Sequence, residues 1–199
     1  MHKNSKTADT PVKLIIMTKP TFFVEEDKIL ATLFEEGMDN LHLCKPGAEP
    51  VYSERLLTLL PEDYLSRITV HEHFYLKQEF RLRGIHLDSP MASLPTGYRG
   101  NYSITCHSTD ELKEAKKQAN YVFLDTPLEE LRANGGHNQI DKKVYACCNI
   151  TLPNIQSAKE LGFGGVVVCD DLWQHFEIHS QQDYKELLQH FSKLRKAVG

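Results

Sequence analysis

Five histidines, His42, His71, His73, His86 and His107, each stand at or near the end of a short apolar segment of this 199-residue chain, with Glu72 and Asp88 beside them. Imidazole titrates near neutrality, so it serves as proton carrier, hydrogen-bond partner or metal ligand. Carboxylates at neighbouring strand ends are ligands for a hard cation such as magnesium. Side chains alternate across a strand, so His42 shares a face with Cys44, His71 with His73, His86 with Asp88, and Thr105 with His107. Brought together, the imidazoles, Asp88 and the Cys44 thiol form a competent zinc set. The competing reading is a tapering polar core in which the imidazoles bond one another and nearby backbone. No Cys-x-x-Cys or His-Glu-x-x-His spacing supports the metal, so the polar core leads, and a solvated acidic rim competes with a metal at Glu72 and Asp88.

Convergence of these residues depends on the segments that carry them. Eight short apolar runs, each ending in polar residues, recur along the chain: Leu14 to Pro20, Asn40 to Pro46, Ile68 to His73, Gly84 to Ser89, Tyr102 to Ser108, Tyr121 to Thr126, Val144 to Asn149 and Gly165 to Asp170. Helical periodicity intervenes at Glu25–Glu36, which Gly37 stops, at Pro50–Leu60, Phe74–Phe80 and Pro127–Arg132, and at Thr151–Leu161 and Gln182–Val198. Thr109 reads as the N-cap of a further helix. Ser89 to Gly100, rich in Pro, Ser and Gly, predicts a loop where the fourth helix would stand. Alternating strand and helix argues for parallel strands. An open doubly wound sheet that bound a dinucleotide would place glycines after its first strand, and Lys19-Pro20-Thr21-Phe22 has none. The expected fold is therefore a compact (β/α)8 TIM barrel with its strand ends gathered at one mouth, a reduced helix or loop after strand 4 and a short loop after strand 6.

One barrel domain over 13–199 behind a mobile tail at 1–12 accounts for the length. A formal charge of -4, with Lys and Arg scattered, disfavours nucleic acid. No apolar run approaches the roughly 18 residues of a membrane span, and the N-terminal segment lacks the apolar centre of a signal peptide, so a cytoplasmic protein is expected. Five cysteines, an odd count, read as free thiols in a reducing compartment. Phosphate is expected at the last strand ends, near Asn149 and Gly165. Asp170 and Asp171 oppose an anion there, or else cap a short helix from Leu172 to Phe176.

Gly84-Ile-His-Leu, Thr105-Cys-His-Ser and Leu161-Gly-Phe-Gly-Gly-Val-Val-Val, in that order and spacing, resemble thiamine phosphate synthase and its relative, the TenI thiazole tautomerase, across Lys13 to about Phe176. The resemblance implies a (β/α)8 enzyme, a homodimer in the usual case, that joins a pyrimidine diphosphate to a thiazole phosphate with Mg2+ and releases pyrophosphate. It implies that His71 and Glu72 stand where an Asn-Asp pair holds diphosphate and magnesium, and that Asp88 lies near the second metal-binding acid. The substrate, a small phosphorylated heterocycle, then falls to His42, Cys44, Lys45, His71, His86, Asn149 and Gly165. The family's Gln-x-Arg-x-Lys appears here as His42-x-Cys44-x-Pro46, leaving Lys45 to swing in, and Cys148-Asn149 replaces a glycine pair. Asp125-Thr126-Pro127 replaces a longer substrate loop. A tautomerase needs less phosphate machinery and a positioned proton carrier, for which His107, His73 and Thr105 are the candidates. A binding protein without turnover is the third reading.

Overall fold

Eight parallel strands close on themselves: β1 Lys13–Met17, β2 Leu41–Leu43, β3 Ile68–Val70, β4 Gly84–Leu87, β5 Asn101–Cys106, β6 Tyr121–Leu124, β7 Val144–Ala146 and β8 Gly165–Val168. Strand β8 returns to β1 in the register Lys13↔Gly165 to Ile16↔Val168. This computed structural model describes residues 10–176 and 184–199. Residues 1–9 of the expected tail at 1–12, and the first two residues of the expected last helix, 182 and 183, lie outside the described residues, whereas Val12 is described and its N–H bonds the Val198 carbonyl at 3.0 Å. No helix among the described residues is long and apolar enough to cross a membrane.

Helices follow the strands as α1 Glu26–Glu35, α2 Pro50–Leu59, α3 Glu62–Leu65, α4 Leu76–Glu79, α5 Thr109–Gln118, α6 Leu128–Ala133, α7 Ile155–Glu160, α8 Asp170–Trp173 and α9 Lys185–Val198. Gly37, at φ +94°, ends α1 as its sequence position suggests. Pro50 opens α2 at the first position, where the missing N–H costs nothing. Helix α3 is an addition to the expected set: Pro61 stops the leucine-rich run and then starts a short turn of its own. The N-cap of α5 is Ser108 rather than Thr109, and its side chain makes no cap bond. Between β4 and β5 there is no helix, in keeping with the Pro, Ser and Gly composition of that stretch.

Alternation divides each strand between two environments. Leu41, Leu43, Ile68, Val70, Ile85, Leu87, Val122, Leu124, Val166 and Val168 point outward and join one apolar cluster with the helices. Inward, Ile15, Phe123 and Val167 form a separate cluster on the axis. The pairing register stacks the inward residues in layers from alternate strands. Asn40, Gly84, Tyr121 and Gly165 form the floor, His42, His86, Phe123 and Val167 the middle, and Cys44, Asp88, Asp125 and Cys169 the mouth. The odd strands supply Ile15, Thr69, Ser103 and Tyr145 below the middle, and Met17, His71, Thr105 and Cys147 above it. Gly165 is therefore a correction to the expected substrate set: it opens β8 at the floor, where a Cβ would meet the Tyr145 ring at 2.6 Å.

Two glycines separate steric from conformational demand. At Gly164 a Cβ would run into the backbone of Lys142, which is not free to move, whereas at Gly47, φ +75°, it would meet nothing within 4 Å. Gly164→Ala is expected to cost about 1–3 kcal/mol or more by forced backbone displacement. Gly47→Ala should cost only about 1 kcal/mol from left-handed strain. Urea unfolding midpoints of the two variants check the order.

Candidate functional site

Three of the five histidines meet inside the barrel. His42 lies wholly buried on β2, and its Nδ1 is 2.9 Å from Nε2 of His71 while its Nε2 is 2.8 Å from the Tyr121 hydroxyl. His86, also wholly buried, has Nδ1 2.7 Å from the Ser103 hydroxyl and Nε2 2.8 Å from that of Thr105. Burial, before any neighbouring charge, pushes the proton affinity of both rings well below that of free imidazole, so both are neutral at neutral pH.

The ring nitrogens of His42, His71 and His86 lie within 4.8 Å of one another, close enough to raise the question of a metal. The donor set does not fit one. His71 and His86 stack face to face at 4.1 Å and 23°, so their in-plane lone pairs cannot converge on a point. His42 and His71 are at hydrogen-bond distance, closer than the roughly 3.4 Å that two tetrahedral ligands at 2.0–2.1 Å would keep. Both nitrogens of His86 already face hydroxyls. The cluster is the hydrogen-bonded polar core, not a zinc centre.

Its proton order follows from one end. Nδ1 of His71 faces Oδ1 of Asp88 at 3.8 Å, too long for a direct hydrogen bond but close enough for the carboxylate to favour a proton on that nitrogen. With both rings neutral and that proton in place, His71 Nε2 accepts from His42 Nδ1–H, and His42 Nε2 accepts from the Tyr121 hydroxyl. The contact with His71 in turn holds the Asp88 acid below its ordinary range.

The mouth above this row is acidic. Glu72 accepts the backbone N–H of Lys45 at 3.0 Å and faces the Cys44 thiol at 3.9 Å. Asp88 is 82% exposed by side chain. Burial, reinforced by the charges of Glu72 and Asp88, pushes the Cys44 thiol up to about 12. Cys169, across the mouth on β8, is pushed up to about 11 by burial and by Asp170, with Lys19 and Lys45 pulling it back. These thiols are thus protonated and poor nucleophiles. His107 lies on the rim, its Nδ1 3.5 Å from Oδ2 of Asp125 at the end of β6.

Several expected site residues are placed elsewhere. Lys45 does not swing into the mouth: its ammonium is buried against Glu26 at 2.6 Å, bonds the Thr21 carbonyl at 3.0 Å and sits over the Phe22 ring at 4.5 Å. His73 does not join His71, because β3 ends at Val70 and the backbone turns through φ 52° at His73, sending its Nε2 to the Ala48 carbonyl at 2.9 Å. His42 and His86 lie in the middle layer beneath the mouth. Thr105 is half-buried and bonds His86. Asn149 takes φ 48° and is exposed, and its carbonyl accepts from Asn154 Nδ2 at 2.9 Å. Asp171 turns away from the mouth, accepting from His190 Nε2 at 2.7 Å and from the Leu152 N–H at 3.0 Å, so it does not oppose an anion there. Cys44, His71, Glu72, Asp88 and His107 do stand at the mouth.

Residues that sequence reasoning passed over are Tyr121, Ser103, Asp125 and Lys19. The first two follow from the same alternation that selected the histidines, since Tyr121 is two residues from inward Phe123 and Ser103 two from Thr105. Asp125 ends β6 as Asp88 ends β4, and Lys19 follows β1 closely.

A closed (β/α)8 barrel with an acid-lined mouth at its C-terminal strand ends defines the class. A thiamine phosphate pyrophosphorylase from Bacteroides thetaiotaomicron, known from its crystal structure, is 50% identical, covers 94% of this chain and 97% of its own, and superposes with a TM-score of 0.86. The chain belongs to the thiamine phosphate pyrophosphorylase, or thiamine phosphate synthase-like, family. A thiamine phosphate pyrophosphorylase from Pyrococcus furiosus, at 18% identity, TM-score 0.72 and coverage of 94% and 95%, shares the fold. So does 3-hexulose-6-phosphate synthase from Salmonella typhimurium, at 9% identity, TM-score 0.64 and coverage of 92% and 97%. No protein-family model and no curated protein sequence matches the chain.

Two predictions test this electrostatic arrangement. Lys45→Met strands the Glu26 carboxylate and should cost about 3–5 kcal/mol, whereas Lys45→Met with Glu26→Leu should recover most of it; urea unfolding of both variants measures this. His42 and His86 have folded proton affinities below their unfolded ones, so the unfolded chain binds more protons in acid. Their contribution is fully present above about pH 6.5 and is lost as pH falls below it, at up to about 1.4 kcal/mol per proton per pH unit. Unfolding free energies between pH 7 and 5.5 should show this slope, and His86→Asn should reduce it.

Proposed function

We propose that this chain is a magnesium-assisted transferase acting on small phosphorylated heterocycles at the barrel mouth. Its reaction on this reading moves a hydroxymethylpyrimidine from its diphosphate to the nitrogen of a thiazole phosphate: the carbon–oxygen bond to diphosphate breaks, the carbon–nitrogen bond forms and pyrophosphate leaves. Family membership supports the reaction. The observation that carries the site is the pair of carboxylates at the ends of β3 and β4: Glu72 accepts the Lys45 N–H at 3.0 Å, and Asp88 stands exposed at the mouth 3.8 Å from Nδ1 of His71.

Oxygen donors with an excess of negative charge suit magnesium. Glu72 and Asp88 would hold it. When bound, the ion neutralises the diphosphate and stabilises charge as the leaving group departs. The protein's own groups prepare for this. The Lys45 N–H fixes one Glu72 oxygen, and His71 holds Asp88 ionised from behind. Lys19, two residues after β1, supplies a positive charge near that strand end, and Lys45 is held away against Glu26. The packed middle layer closes the bottom of the site, so a developing pyrimidine-methyl cation is protected from water on that side. The five cysteines are free, which suits a reducing cytoplasm.

One observation favours a second reading. The His107–Asp125 pair has the form of an oriented proton carrier, and Nε2 of His107 has no hydrogen-bond partner among the described residues. It would serve a TenI-like tautomerase acting without a diphosphate substrate.

Magnesium-dependent pyrophosphate release should fall by about two orders of magnitude or more in Glu72→Ala, while His107→Ala should change it only a few-fold. Undiminished release from Glu72→Ala would end the transferase reading. Thiazole isomerisation that survives Glu72→Ala and is lost in His107→Ala would install the second one.

A further inference from the structure

At the end of the barrel opposite the mouth, the strand beginnings line a cavity of about 430 Å³ whose polar wall includes Lys13, Asn40, Arg83, Asn101, Tyr121 and Tyr145. Its charge is the reverse of the mouth's. Lys13, Arg83 and Arg195 line it against a single acidic side chain, Asp39. Arg83 makes one long hydrogen bond, 3.5 Å to the Asp39 carbonyl, and neither it nor Lys13 has a carboxylate partner among the described residues. Asn40, 8% exposed, leaves its Oδ1 without a partner.

We infer that this floor cavity binds a small organic anion, its carboxylate or phosphate held by Arg83 and Lys13 and its body lying against Asn40 and the tyrosines. The volume lies within the range of small-molecule sites. Aromatic surface is available for the body of the ligand, since Tyr121 and Tyr145 line the cavity as a stacked pair at 5.0 Å and 20°. The charge of Arg83 is felt at the axis, where it adds to the effect of burial in lowering the proton affinity of His42 and partly offsets the rise that burial gives the Tyr145 phenol. A bound anion that neutralises Arg83 would therefore be felt by His42. The site is independent of the transferase reading, because it shares no residue with the mouth.

The test is a titration of the full chain with benzoate, phenyl phosphate and inorganic phosphate, followed by NMR at the Asn40 side-chain amide and the His42 ring nitrogens. A saturable shift at both positions is expected from at least one probe, and the probe that binds decides between carboxylate and phosphate. Arg83→Gln should weaken it by about tenfold or more, Arg83→Lys by less, and Glu72→Gln should leave it unchanged. Arg83→Lys keeps the charge and guards against a loss of fold in Arg83→Gln. Three results would each overturn the inference: no saturable shift up to about 20 mM of any probe, equal affinity in Arg83→Gln and the parent, or loss of binding in Glu72→Gln.

Discussion

Imidazoles that water cannot reach must be neutral and fully bonded, and this requirement organises the centre of the barrel. His42 and His86 occupy two of the four middle-layer positions, beside Phe123 and Val167, where branched aliphatic side chains usually fill a barrel of this kind. Each buried ring brings one donor and one acceptor. The neighbouring strands supply the partners: Tyr121 and His71 for His42, Ser103 and Thr105 for His86. A network with one member missing would be worse than an apolar core, because the orphaned group keeps its desolvation cost. Stability alone does not explain the array, since well-packed hydrophobes fill such space as effectively. What the array adds is position, because His71 is held from below by His42 and carries that constraint to Asp88 at the mouth.

The same separation of roles governs the charges. Lys45, the cation that sequence position assigns to the mouth, instead ties the segment after β2 to the start of α1 through Glu26. Glu26 sits at the N-terminal end of α1, where the helix dipole also favours a negative charge. The pair is buried on both sides, and its lysine bonds a carbonyl and covers an aromatic ring, so the ammonium is held by several partners at once. Its removal from the mouth leaves the carboxylates there without this cation as a partner.

The sequence makes the inward face of each strand legible because the pleat fixes a period of two. His42, His86 and Thr105 fall inside as that rule requires. Height along the axis is a different quantity, set by the stagger of neighbouring strands, and no single strand reveals it. Gly165 therefore lies at the floor although its sequence neighbourhood suggests the phosphate end, and His42 and His86 lie one layer below the mouth. His73 is lost to the mouth for a local reason, as the strand stops at Val70 and the following turn redirects the chain. The Lys45–Glu26 and Asp171–His190 pairs each join residues 19 apart whose meeting depends on how a helix lies against the barrel, which spacing does not encode.

Polarity along the axis ties these observations together. Cations line the floor and carboxylates line the mouth, so the interior lies between a positive end and a negative one. The row from Tyr121 through His42 and His71 to Asp88 has one proton order that suits this field, each donor pointing toward the mouth. Reversing it would present a lone pair of His71 to the Asp88 carboxylate, so that end biases the row toward one order although its two imidazoles are individually symmetric in their capacity to donate and accept. The row thus links the two faces of the barrel through a continuous set of polar contacts from Tyr121 to Asp88.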